Sequence, residues 1–243
     1  MLKKIFIIPI PALLFIYLLL SVFYTNSYAK KISICTELQI DLAENSESSY
    51  LTRDDIISKL TKAGLSPVGK ELSSVNTSEI EKKLEEDRLI KRVECYKTVD
   101  GTVKIKVFHR IPVLRIFSAN GSYYIDRERE KMPVPDNFAA YVSVATGYID
   151  EEFAKNQLFD FVLFLNNDKF WNSQIKQIYI AQNGDVELIP AVGNHRIILG
   201  KLDDYKENLN KLRLFYDKGL SKVGWNRYSI INLKYKNQVV CTI

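Results

Sequence analysis

One segment of the chain has the spacing of a phosphate-binding loop, and it runs from Gly64 to Lys70. In a P-loop, glycine-rich backbone and a lysine hold nucleotide phosphates, and a Ser or Thr after the lysine binds magnesium. Such a loop follows a strand and opens a helix, whereas this segment follows a predicted helix. Glu71 occupies the Ser/Thr position, and its carboxylate would repel phosphate. We therefore interpret the segment as a helix end followed by a turn.

Histidines and adjacent acids are the remaining candidates for acid–base chemistry. His109 falls on a predicted strand and His195 in a predicted loop, and the sequence contains no H-E-x-x-H or G-x-S-x-G motif. Neighbouring residues on a helix point about 100° apart, which is a poor geometry for a pair of catalytic carboxylates. The adjacent acids are Asp54–Asp55, Glu85–Glu86, Glu151–Glu152 and Asp203–Asp204. We predict no catalytic residue, no cofactor and no metal site, and hence a protein that is not an enzyme.

Three widely spaced cysteines, Cys35, Cys95 and Cys241, complete the set of reactive side chains. An odd number at such spacing matches neither a disulfide framework nor a zinc site. We interpret the cysteines as small buried apolar residues. One disulfide bond, such as a bond between Cys35 and Cys95, remains an alternative interpretation.

The positive charge of the chain is concentrated at its beginning. The formal net charge is +5, but four of the 34 basic residues precede Ile32, and no acid does. The remaining basic residues nearly balance the 29 acidic ones. This balance lacks the electrostatic signature of nucleic-acid binding.

An apolar run without charges extends from Ile5 to Ala29. About 20 helical residues span the roughly 30 Å core of a bilayer, so we predict a transmembrane anchor over residues 5–27. The alternative is a cleaved signal peptide, because Ser27-Tyr28-Ala29 has a small-x-small pattern. The run is longer than a signal core of about 7–15 residues, which favours the anchor. Both interpretations place the remainder outside the cytoplasm.

The orientation of the anchor does not follow from lysine counting. Two lysines precede the run and two follow it, so the positive-inside rule is balanced. Only residues 1–4 precede the apolar run, and we expect them to form a short cytoplasmic tail. The bulk of the chain is then extracytoplasmic.

Residues 32–112 are predicted to form a small domain of strand, helix, helix, strand and strand. Ser33–Leu42 alternates as a strand does, and Thr52 and Asn76 each stand where a helix N-cap is expected. Asp100-Gly101 is a strong hairpin signal between two alternating segments. This order is that of a POTRA module, a small docking domain found beside membranes.

Residues 113–243 are predicted to form an antiparallel sheet with two packed helices. Glu151–Asn166 carries an apolar stripe at helical spacing, and a second helix begins at Asp203. Asn183-Gly184-Asp185 indicates a hairpin. The chain closes with Ser229–Cys241, which we interpret as the last strand. The fold class is therefore α+β.

The succession of anchor, POTRA-like unit and strand-rich unit resembles the FtsQ/DivIB family of bacterial cell-division proteins. The segments that carry the resemblance are Arg110-Ile-Pro112, Tyr123-Tyr-Ile-Asp126, Val144-Ala-Thr-Gly147, Ile197-Ile-Leu-Gly200 and Ile231-Asn-Leu-Lys-Tyr235. The last of these departs from the family pattern, since Asn232 stands where Asp is common and Lys234 where Arg is.

The resemblance implies a non-enzymatic scaffold of the division complex (divisome). It also implies a single-pass protein of the inner membrane with its bulk in the periplasm. The β domain of the family pairs a strand of FtsB, from an FtsB–FtsL complex, at its C-terminal edge, and the POTRA unit helps to recruit other division proteins. Tyr235 matches the family's tyrosine at that edge, and we extend the prediction of partner binding to Lys234, Val239 and Val240. Core packing is the alternative role for the two valines.

Two other classes of protein are alternatives to the scaffold. An envelope assembly or secretion protein also uses POTRA modules, but such proteins carry repeated POTRA units or a barrel. An exported enzyme would need a constellation of residues that the sequence does not display. We expect protein partners and the lipid bilayer, with neither nucleic acid nor a small-molecule substrate.

Overall fold

The structure is a computed structural model that describes residues 9–32, 34–43, 50–119, 121–135 and 138–243. In its first helix, side chains are described for residues 12–24. The expected cytoplasmic tail, residues 1–4, and the first four residues of the predicted anchor lie outside the described residues. The chain divides into unit 1, which ends at His109, and unit 2, which begins at Arg110.

Helix α1, Pro9–Ile32, contains most of the apolar run. Its large apolar side chains between Leu13 and Tyr24 are 54% to 75% exposed with respect to the described residues. Within the part of the chain that is described, no helix has both the length and the apolarity required to cross a membrane. The transmembrane anchor therefore stays a prediction.

The rest of unit 1 confirms the predicted order of strand, helix, helix, strand and strand. Its elements are β1 Glu37–Ala43, α2 Arg53–Lys62, α3 Thr77–Glu85, β2 Ile90–Lys97 and β3 Thr102–His109. The sheet order is β1-β3-β2, with β1 parallel and β2 antiparallel to the central strand β3. The two helices and β2 lie between β1 and β3 along the chain, and a parallel pair requires a long connection of this kind.

The helices of unit 1 begin where the sequence predicts. Thr52 and Asp55 form a capping box, in which each side chain accepts a hydrogen bond from the backbone of the other residue. Asn76 accepts a hydrogen bond from the Glu79 amide at 3.3 Å. Gly64, with φ of +69°, follows α2 and supplies the left-handed conformation that ends many helices.

Unit 1 has a core between one face of its sheet and its two helices. Alternate residues of β3 point into it, namely Val103, Ile105 and Val107, because side chains on a strand alternate between its two faces. The helices contribute the buried side chains Ile56, Leu60, Ile80 and Leu84. Among the described residues, this core covers one face of the sheet.

Unit 2 contains one nine-stranded sheet. Its strands are β4 Pro112–Ser118, β5 Gly121–Asp126, β6 Lys131–Met132, β7 Ser143–Gly147, β8 Ile175–Ile180, β9 Val186–Pro190, β10 Arg196–Gly200, β11 Ile230–Asn232 and β12 Val240–Thr242. The order across the sheet is β12-β11-β10-β9-β8-β7-β4-β5-β6. The last strand of the chain therefore lies at one edge of the sheet.

The prediction of a purely antiparallel sheet is wrong. The pairs β4–β7, β7–β8 and β10–β11 are parallel, and the other five are antiparallel. Helices connect β7 to β8 and β10 to β11, and a helical crossover returns the chain in the same direction. Residue alternation within each strand does not reveal this, since it is the same for both kinds of pairing.

The prediction of two helices in unit 2 is also too simple. The segments are α4 Glu151–Lys155, α5 Gln157–Asn167, α6 Lys169–Gln174, α7 Tyr205–Phe215, a π-helical turn Tyr216–Leu220 and α8 Ser221–Val223. The expected helix Glu151–Asn166 breaks at Asn156, whose φ of −112° and ψ of −93° are not helical. Asp168 then starts α6 by accepting hydrogen bonds from the amides of Phe170 and Trp171.

Helices α4 to α7 and the π-helical turn share the core of unit 2 with one face of the sheet. Buried residues of the strands include Leu114, Ile116, Ile178, Leu188, Ile197 and Ile231, and those of the helices include Leu158, Phe161, Val162, Leu165, Leu209 and Leu212. Leu233, directly after β11, belongs to the same core. This packing holds β11 in place and thereby positions β12 beside it.

Candidate partner-binding edge

Strand β12 is the edge of the sheet in unit 2. It pairs antiparallel with β11, with Val240 opposite Asn232 and Cys241 opposite Ile231. Within the described residues, β12 has no strand on its other side. An edge strand presents unpaired backbone donors and acceptors, which can pair with a strand from another protein.

The backbone of Cys241 faces the open side of this edge. The Thr242 carbonyl accepts a hydrogen bond from the Ser229 amide at 2.8 Å, so Thr242 is turned toward β11. In an antiparallel ladder, successive residues turn their backbone groups to opposite sides. The amide and carbonyl of Cys241 therefore point away from β11, toward the position of an added strand.

The side chains of this edge divide between the two faces of the sheet. Val239 and Cys241 are partly buried and pack against the core of unit 2. Val240 is 41% exposed on the opposite face. For Val239, core packing and partner contact are compatible, because part of the side chain remains accessible at the edge.

Tyr235 does not lie in the edge strand. The predicted single strand Ser229–Cys241 is wrong, because β11 ends at Asn232 and the chain turns before β12 begins. Asn237 adopts a φ of +61° in this turn, a conformation that asparagine tolerates better than most residues. The side chain of Tyr235 is 50% exposed on the loop between the two strands.

Two lysines hold this loop in place. The Lys211 ammonium on α7 donates hydrogen bonds to the carbonyls of Leu233 at 3.0 Å and Tyr235 at 2.9 Å. Lys234 donates to the Asp185 carboxylate at 2.7 Å. This hydrogen bond lowers the pKa of Asp185 and raises that of Lys234. The ammonium of Lys234 is therefore occupied within the chain, and its backbone amide donates a hydrogen bond to the Asn232 side chain at 3.0 Å.

A groove of 510 Å³ lies between α7 and the loop before β12. Leu214 and Phe215 from the helix side and Val239 from the loop line its apolar part, and Leu214 is 54% exposed. Lys211 and Lys218 stand at its margin. An added strand at β12 would lie next to this groove, which offers an apolar contact for residues beyond the paired segment.

The predicted partner-binding residues occupy one hairpin. Val240 stands at the start of β12, and Lys234, Tyr235 and Val239 lie on the loop before it. No pattern in the sequence marks Leu214 or the backbone of Cys241 as a contact. Leu214 lies outside the buried stripe of α7, and an exposed leucine on one helix is not by itself a signal.

The Gly64–Lys70 segment forms the expected turn. The Lys70 ammonium donates a hydrogen bond to the Gly64 carbonyl at 2.8 Å, so the lysine folds back onto its own loop. Gly69 donates its amide to the carbonyl of Cys35 at 2.9 Å. The glycines and the lysine of this segment thus have structural partners.

The two histidines have packing partners in separate units. His109 meets Tyr50 edge to face, with ring centroids 5.4 Å apart. His195 is buried, and its Nε2 lies 2.8 Å from the hydroxyl of Tyr216. Burial lowers the pKa of His195 and raises that of Tyr216. Both rings therefore serve as parts of the folded core or its margin.

Cys35, Cys95 and Cys241 are free thiols, and the first two are buried as predicted. Burial raises the pKa of Cys95 to about 12, so the thiol stays protonated and unreactive near neutral pH. In the described ranges, no group of three or more His, Cys, Asp and Glu side chains is arranged to hold a metal ion.

Comparisons with protein-family models match both units. A POTRA-like domain matches residues 33–108. The family described as FtsQ/DivIB, C-terminal related, matches residues 111–242. No curated protein matches the chain at a significant level. The second family match covers more than half of the sequence, and the chain therefore belongs to the FtsQ/DivIB C-terminal-related family.

Proposed function

We propose that this protein is a non-enzymatic, membrane-anchored scaffold of the bacterial cell-division complex. Its family and its POTRA-like domain support a role in cell division. The observation that carries the finer proposal is the open edge of β12, with the backbone of Cys241 directed outward. We infer that a partner of the FtsB/FtsL type adds a strand at this edge.

The proposed contact uses backbone pairing for affinity and side chains for specificity. The partner strand takes the outward amide and carbonyl of Cys241. Val240 contacts it on the open face of the sheet, and Tyr235 contacts it from the neighbouring loop. The groove beside Leu214 then receives apolar residues of the partner that follow or precede the paired strand.

The proposed arrangement of the chain has four parts. They are a cytoplasmic tail of residues 1–4, an inner-membrane anchor of residues 5–27, a POTRA-like docking domain of residues 32–112 and a β domain of residues 113–243. The exposed apolar side chains of α1 support the anchor, since contiguous apolar surface of this kind marks contact with lipid or protein. In this arrangement both domains lie in the periplasm.

Crosslinking in cells tests the proposed edge. A photoreactive amino acid is placed at Val240 or Tyr235, and as a matched control at Lys131 on the opposite edge of the same sheet. We expect an FtsB-type protein to crosslink from the first two positions and not from the third. Equal crosslinking from Lys131, or none from Val240, would reject strand addition at β12.

Fractionation tests the anchor separately. The intact chain is expected in the inner membrane, and extraction is expected to require detergent rather than salt or alkali. Recovery of a soluble product that begins near Lys30 would show that the apolar segment is a cleaved signal peptide.

A further inference from the structure

Unit 1 has two edge strands, β1 and β2, because β3 lies between them. Each edge is a possible site for an added strand, provided that its outward backbone groups are free. The two edges differ in whether their outward backbone groups already have hydrogen-bond partners. The edge whose groups are free is the candidate docking site.

Two glutamates of α3 cover the β2 edge. The Glu85 carboxylate accepts a hydrogen bond from the Val93 amide at 2.9 Å, and the Glu81 carboxylate accepts one from the Cys95 amide at 2.7 Å. Glu81 and Glu85 stand four residues apart and therefore one above the other on the helix. Hydrogen bonds to an ionised carboxylate are stronger than neutral ones, so a partner strand would have to displace two strong contacts.

Among the described residues, the β1 edge is covered only at its beginning. The Cys35 amide donates to the Lys70 carbonyl at 2.8 Å, and the Cys35 carbonyl accepts from Gly69. The β3 residues that turn their backbone away from β2, such as Ile105, bond the backbone of Gln39 and Asp41 in the parallel register. The backbone groups of Leu38, Ile40 and Leu42 therefore face outward, and no described strand of unit 1 pairs with them on this side.

Charges alternate across the open face of this sheet. Asp41 on β1 lies beside Lys106 on β3, and Lys106 lies beside Glu94 on β2. A strand added outside β1 continues this alternation when it places a basic side chain beside Asp41. On the helix-facing side, Leu38 and Leu42 are only partly buried and offer apolar contacts.

We propose that unit 1 binds an extended peptide with alternating apolar and basic residues at the outer edge of β1, while Glu81 and Glu85 close the β2 edge. A second copy of β1 is a poor occupant, because antiparallel pairing would bring Glu37 and Asp41 close to the same acids of the other copy. The inference deepens the proposed docking role of the POTRA-like domain and does not involve β12.

Amide hydrogen exchange on the full chain in lipid nanodiscs tests the choice of edge. The probe is a blocked seven-residue peptide of alternating lysine and valine, and its control replaces lysine by glutamate. At saturating lysine peptide, we expect exchange at Leu38, Ile40 and Leu42 to slow by about tenfold or more, with no change at Val93 and Cys95. No slowing at β1, slowing at β2 instead, or equal slowing by the glutamate peptide would overturn the proposal.

Two variants test the physical basis of the choice. Asp41→Lys is expected to reverse the preference between the two peptides. The double variant Glu81→Ala/Glu85→Ala is expected to speed exchange at Val93 and Cys95 severalfold, whereas Glu79→Ala on the same helix is not. Unchanged exchange in the double variant would show that the glutamates do not close the β2 edge. Because all these readouts come from unit 1, their failure leaves the proposal for β12 untouched.

Discussion

Replacing Cys241 by proline removes the outward-facing amide at the centre of β12. Proline is accepted in edge strands where its nitrogen faces solvent, so we expect unit 2 to remain folded. The substitution also removes a partly buried side chain, and Cys241→Ala is the control for that loss because it keeps the amide. The difference between the two variants therefore reports the backbone contact with the partner.

The expected magnitude follows from the unpaired group that proline creates. The partner's carbonyl loses its donor within a paired interface, which costs about 1–3 kcal/mol. Since 1.4 kcal/mol is a factor of ten in affinity, Cys241→Pro should weaken partner binding by about 5- to 150-fold. Cys241→Ala should change the affinity by no more than about 0.5 kcal/mol, as is usual for small changes away from the contact.

Isothermal titration of the chain in nanodiscs with a purified FtsB/FtsL-type complex gives the two affinities. Thermal unfolding followed by circular dichroism checks that both variants retain their sheet. If the proline and alanine variants bind equally well, the outward amide of Cys241 makes no contact with the partner. Strand addition at β12 would then be wrong, whatever other surface the partner uses.

Three further predictions concern stability. Thr52→Ala, which removes the capping box of α2, should lower the free energy of unfolding of unit 1 by about 1 kcal/mol in urea titrations; no measurable loss would contradict the role of the cap. Gly147→Ala should destabilise unit 2 by about 2–4 kcal/mol, because φ is +105° and an added Cβ would lie 2.2 Å from the Ile180 carbonyl oxygen; a neutral result would refute this close contact. Asp185 has a pKa lowered from 3.8 by its hydrogen bond to Lys234, so its stabilisation is present above that pH and lost as the pH falls through the lower folded-state value. The stability difference between the wild type and Asp185→Asn should therefore shrink below about pH 3.8 in acid unfolding, and a difference that is constant from pH 7 to pH 2 would exclude this linkage.

Local features of the sequence determined much of unit 1. The caps at Thr52 and Asn76 and the turn at Gly101 depend on residues within a few positions of one another, which is why pattern and residue type predict them. The strand–helix–helix–strand–strand order follows from these signals. The motifs along unit 2 likewise sufficed to identify the family, because their succession is a property of the chain and not of its folding.

Three features of unit 2 depend on contacts between distant segments. The parallel pairing of β10 with β11 depends on the crossover through α7 that connects them, and the alternation of residues within a strand does not indicate its direction. The helix break at Asn156 lies within a continuous apolar stripe, and this stripe predicts a single helix. Two hydrogen bonds hold the turn that separates Tyr235 from the edge strand. Lys211 bonds Tyr235 from 24 positions away, and Asp185 bonds Lys234 from 49 positions away.

The same division applies to the candidate binding edges. The sequence by itself directed attention to the last strand and to Val239 and Val240. Only the tertiary structure decided that the Cys241 backbone faces outward, and that Glu81 and Glu85 cover one edge of unit 1 while the other is open. The physical reason is that a free edge is defined by the absence of a neighbour, and neighbours in a sheet are set by the packing of the whole domain.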